Sequence, residues 1–89
     1  MQADRAQSTF HQEAMVLGYV SAQNAEGFAV SSAEVARGLG FQEALAEALL
    51  MSLYEQGFLR REVDADGCYY QLSGEAWDRL SWFAEEGYL

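Results

Sequence analysis

Cys68 and His11 are the single thiol and the single imidazole of the chain, and they set the ceiling on its chemistry. Nucleophilic catalysis needs a nucleophile and a base within reach of each other. His11 falls in the first turn of an expected helix and Cys68 in an expected strand, with no motif joining them. A structural zinc site takes about four Cys or His ligands, which this pair does not supply. Glu62, Asp64 and Asp66 loosely resemble a cation loop, but calcium asks for about 6–8 oxygens, and a solvated turn accounts for them. The sequence has no G-x-S-x-G, no Gly-rich phosphate loop and no H-E-x-x-H. The expectation is a protein that binds and does not catalyse, with no metal and no cofactor.

Charge says more than motifs do. Fourteen acidic side chains face five arginines, with no lysine, for a net charge of −9. A field of that sign repels nucleic-acid phosphates and anionic membranes and attracts basic protein surfaces. With 51% hydrophobic residues the chain is built to fold, and 89 residues suit one domain. Residues 1–8 read as a loose polar tail and 9–89 as the domain. No apolar run approaches the ~18 residues of a membrane span. The polar start, Met1 to Gln12, is unlike a secretory signal, which points to the cytoplasm.

The elements follow from periodicity and caps. A first helix is expected from about Phe10 to Gln23, capped by Thr9 with Gln12 three residues on. It is apolar most of the way round, which suggests that a second subunit or a partner covers it. Ser31 with Glu34 marks a second helix, ended by Gly38 and Gly40. A third is expected from Gln42 to Gln56, with Ala46, Leu49, Leu50 and Leu53 as its core stripe and Gly57-Phe58 as its ending. Phe58–Val63 and Cys68–Leu72 read as strands around an Asp66-Gly67 turn. Ser73 is expected to cap a last helix whose inward face is Ala76, Trp77, Leu80, Phe83 and Ala84. Asp4, Glu13 and Glu26 read as solvated.

The order α-α-α-β-β-α is mainly α (an α+β arrangement) with a two-stranded hairpin. It resembles the winged helix-turn-helix superfamily. Residues 32–41 (SAEVARGLGF) look like the first helix and turn of the motif, and 49–59 (LLMSLYEQGFL) like the end of its recognition helix entering the wing. Asp66-Gly67 followed by Tyr70-Gln71-Leu72-Ser73 is similar to the second wing strand of bacterial regulators of the multiple-antibiotic-resistance and PadR types. The resemblance implies a helix that enters the DNA major groove and a wing that grips the backbone.

The residues at those positions depart from that pattern. Over 42–56 the chain has Glu43, Glu47 and Glu55 and no cation. Phosphate and sugar contacts come chiefly from Arg and Lys. In the wing, Arg60 and Arg61 are outweighed by Glu62, Asp64 and Asp66, and Cys68 stands where many relatives carry arginine. Two readings follow. The charge map favours an acidic protein-interaction module, a regulator, adaptor or DNA-mimicking inhibitor from a phage or mobile element. It would meet a basic protein surface through Glu43, Leu45, Glu47, Met51 and Glu55, with Trp82 on the polar side of the last helix. The alternative is a dimeric DNA-binding transcription regulator that uses Gln42, Arg60 and Arg61. Either form allows a homodimer through the first and last helices.

Overall fold

The computed structural model describes residues 9–89 in full and, for residues 2–8, only their place in a helix. The expected loose stretch over residues 1–8 falls outside what is described. The elements are α1 (Gln2–Ala25), α2 (Ser32–Leu39), α3 (Glu43–Glu55), β1 (Leu59–Asp64), β2 (Gly67–Leu72) and α4 (Ala76–Glu85), in the order implied by the sequence.

α1 begins upstream of the expected start, so Thr9 lies inside the helix and does not cap it. Ala14, Val16, Leu17 and Val20 are all fully buried. Their cover is the chain itself: α2, α3, α4 and β2 all lie against α1. The apolar girth of this helix therefore calls for no second subunit. Glu13 corrects a second expectation. It is 6% exposed, because α1 is enclosed on the side expected to meet solvent.

α2 opens on the expected reciprocal cap, in which the Ser31 hydroxyl accepts from the Glu34 amide and the Glu34 carboxylate accepts from the Ser31 amide. It closes at Gly40, at φ 72°. Gly38, expected to end the helix, lies within it. The Tyr19 ring packs on its Cα, and a Cβ there would meet Cζ of that ring at 2.6 Å. The glycine is what lets α2 approach α1.

α3 buries the expected stripe of Ala46, Leu49, Leu50 and Leu53. The Phe58 amide bonds the Leu53 carbonyl at 2.9 Å and the Gly57 amide that of Tyr54 at 3.0 Å, with Gly57 at φ 89°. That is the expected paired ending with its left-handed residue. The antiparallel hairpin then runs from Leu59↔Leu72 to Asp64↔Gly67. Asp64 Oδ1 accepts from the amides of Asp66 and Gly67 at 2.8 and 3.1 Å, so this acid serves the turn. Val30 and Tyr70 exchange two backbone bonds on the free edge of β2. Asn24 Oδ1 accepts from the Leu72 amide at 2.7 Å, which ties the end of α1 to the hairpin.

The start of α4 differs from expectation. Ser73 does not cap it: its hydroxyl donates to the Gly57 carbonyl at 2.6 Å, and Glu75 holds the cap position with no side-chain bond. The inward face is also rotated. Ala76 and Phe83 are buried and Leu80 half-buried, but Trp77 is 60% exposed and Ala84 is exposed. Trp82 turns inward instead, 5.5 Å from the Phe10 ring of α1 and 5.9 Å from Tyr88. Arg79 explains the rotation. Its guanidinium lies 4.3 Å from the Trp82 ring centroid and 5.7 Å from that of Phe10, and this stacking selects the Arg79–Trp82 flank.

Candidate interaction surface

The outward side of α3 presents Glu43, Ala44, Glu47, Ala48 and Glu55 to solvent. Leu45 and Met51 are half-buried and lean on the core. Gln42 occupies the cap position of α3 and makes no side-chain cap bond there. The hairpin overhangs the same helix. The Tyr70 hydroxyl donates to Met51 Sδ at 3.3 Å. Burial first, and then its contact with Cys68, push the Tyr70 phenol up to about 12, so it stays protonated and keeps that donor.

Side chains alternate across a strand. Buried Leu59 and Tyr70 fix which hairpin face meets the core. Arg61, directly opposite Tyr70, shares that face; Arg60, opposite Gln71, takes the other. Arg61 Nε donates to Cys68 Sγ at 3.0 Å, and its guanidinium lies 5.9 Å from the centroid of the exposed Tyr54 ring of α3. The thiol contact also raises the Arg61 pKa. Arg60 lines an open recess of about 350 Å³ with Asn24, Leu72 and Trp77. Arg79 is committed to the rings between α1 and α4. Among the described arginines, Arg61 lies over a ring of α3, and Arg37 stands exposed in the last turn of α2, the helix packed on α3.

Of the sequence-derived candidates, Glu47, Met51 and Arg61 are brought together where α3 meets the hairpin. Glu43, Leu45 and Gln42 line the start of α3, and Glu55 its end. Trp82 lies away from this surface, packed against α1. Tyr54, Val63 (70% exposed) and Cys68 belong to the surface and were missed. The register set by the Asp66-Gly67 turn puts Cys68 on the diagonal from Arg61, and that signal was available. Among the described residues no three His, Cys, Asp or Glu side chains converge to hold a metal ion. No helix among them is long and apolar enough to cross a membrane.

No family model matches the chain, and no curated protein does. Solved structures do. MepR, a transcription regulator of the Staphylococcus aureus multidrug efflux pump MepA, superposes with a TM-score of 0.70 at 20% identity over 82% of this chain and 53% of that one. The S. aureus MepR–DNA complex gives 0.69 at 21% identity, over 83% and 53%. A MepR mutant from a multidrug-resistant S. aureus clinical isolate gives 0.72 at 16% identity, over 96% and 69%.

The fold is a winged helix-turn-helix.

α2 and α3 are its helix-turn-helix pair, α3 stands in the recognition-helix position, and the β1–β2 hairpin is its wing. The chain spans about half the length of the first of these regulators. A winged helix is a scaffold for many functions, and what this one binds is set by the surface of α3 and the wing.

Proposed function

We propose that the protein is a transcription regulator that works in the cytoplasm by binding DNA, as a homodimer and without chemistry of its own. The likeness of its winged helix to a regulator solved with DNA carries this reading. Gln42 at the start of α3 and Arg61 on the wing face beside α3 are the duplex contacts, and Arg60 reaches phosphate only from the far face of the wing. A Glu on α3 can accept from a cytosine amino group once the backbone is held. Affinity should fall with salt, but gently. With Arg61 as the one phosphate contact of each protomer, the log–log slope for a dimer is about −2.

A second reading is favoured by one observation: three glutamates and no cation on the outward side of α3, with the wing arginines split between opposite faces. A polyanion is poorly held there, whereas a basic protein surface meets the Glu rim around Ala44, Ala48 and Met51. Gel retardation on promoter and random duplexes at ~50 and ~200 mM salt separates the two. A retarded complex that weakens at the higher salt supports the regulator. No retardation at ~50 mM, where electrostatic binding is strongest, overturns DNA binding and leaves the protein partner.

A further inference from the structure

At the α1–α4 seam a buried carboxylate and a half-buried guanidinium each keep a buried polar atom without a partner. Glu13, 6% exposed, has its Oε2 atom buried with no hydrogen-bond partner, and the Nε of Arg79 is in the same state. Buried polar atoms are nearly always bonded, so two orphans of opposite charge at one seam call for an explanation.

The rings supply it. The Arg79 guanidinium lies 4.3, 4.9, 5.3 and 5.7 Å from the ring centroids of Trp82, Phe83, Phe58 and Phe10. A desolvated cation is attracted to aromatic faces, so docking of α4 holds Arg79 among rings and leaves the carboxylate short of partners. An ionised carboxylate that is buried and incompletely bonded pays a far larger desolvation cost than a protonated one. The start of α4 makes no side-chain cap bond, so little holds the helix there beyond the Ser73 contacts to Gly57 and Phe58. We propose that Glu13 and Arg79 form an ionisation-sensitive latch between α1 and α4: α4 seats on α1 when Glu13 holds a proton and loosens when Glu13 ionises. The latch is independent of what the α3 surface binds.

The groups around Glu13 are few. The residue that closes α3, Gln56, contributes its neutral amide. α4 contributes Arg79, the charged group that acts on Glu13. Burial raises the Glu13 pKa above its usual 4.5, and Arg79 and then Gln56 lower it by less. A raised carboxylate pKa means that the docked state binds the proton more tightly than the loosened one. The stabilisation is therefore complete below about 4.5 and is lost as pH climbs through the raised value.

Hydrogen exchange of the full chain across pH, corrected for intrinsic rates, tests this, with α2 amides as the internal reference. α4 protection relative to α2 should fall as pH rises above about 4.5, by up to about tenfold per pH unit for one proton. Glu13→Gln should give a flat profile at the acid-side level. Glu13→Met, of similar volume, should also be flat if the amide perturbs folding. Arg79→Leu should extend the fall to higher pH, because the cation that favours ionisation in the docked state is gone. A flat wild-type profile, a rise of α4 protection with pH, or a wild-type slope retained in Glu13→Gln and Glu13→Met would each overturn the latch.

Discussion

Two arginines of this small protein sit near aromatic rings, and their surroundings could hardly differ more. Arg61 lies 5.9 Å from one exposed ring on the α3–wing surface, while Arg79 lies within 5.7 Å of four rings in the α1–α4 seam. Cation–ring attraction grows as water is removed, from about 0.5–1 kcal/mol at exposed sites to about 2 or more when dry. The seam thus uses its arginine for stability. The wing surface keeps Arg61 wet, held by a thiol and free to meet a partner. Stability and binding are divided between two ends of the molecule, and substitutions at one end should leave the other largely untouched.

The sharpest way to break that division is in the seam. Phe83 is fully buried and touches both Trp82 and Tyr88. Phe83→Ala should cost about 3–5 kcal/mol in urea unfolding, a large share of the stability of a domain this size. Arg79→Ala should cost about 2 kcal/mol, since it removes a cation packed among four rings. Unchanged stability in both variants would mean that α4 is not docked as described. Below these comes the cap of α2, where Ser31→Ala should cost about 1 kcal/mol.

That cap was fully legible in the sequence, because a capping box is a local device: Ser31 and Glu34 need only each other. The same holds for the Gly57-Phe58 ending of α3 and for the wing turn. Ser73 was misread for the opposite reason. Its hydroxyl had a choice between the first turn of α4 and the Gly57 carbonyl, sixteen residues away, and that competition is decided by tertiary contact. The rotation of α4 was illegible for the same cause. Trp77 and Trp82 lie on different sides of one helix, and the ring that captures Trp82 belongs to Phe10, at the other end of the chain. Glu13 reads as solvated on its own helix; only α4 folded across it makes it buried. On the candidate surface the acidic side of α3 was readable directly. The separation of Arg60 from Arg61 also follows from strand alternation, but which of the two faces α3 depends on the register fixed by the turn.

The smallest expected effect sharpens the comparison most, because it asks about the wing alone. Arg61→Gln and Arg60→Gln should both leave the unfolding midpoint where it is, since both side chains are exposed. In duplex titrations against salt they should part. Removing a cation that contacts phosphate lowers the slope by about one per site, so Arg61→Gln should flatten the dependence while Arg60→Gln, on the far face of the wing, should not. Equal losses from the two variants would show that the wing turns edge-on to the duplex and presents both faces. A loss confined to Arg60→Gln would move the contact from the α3 surface to the recess beside Trp77.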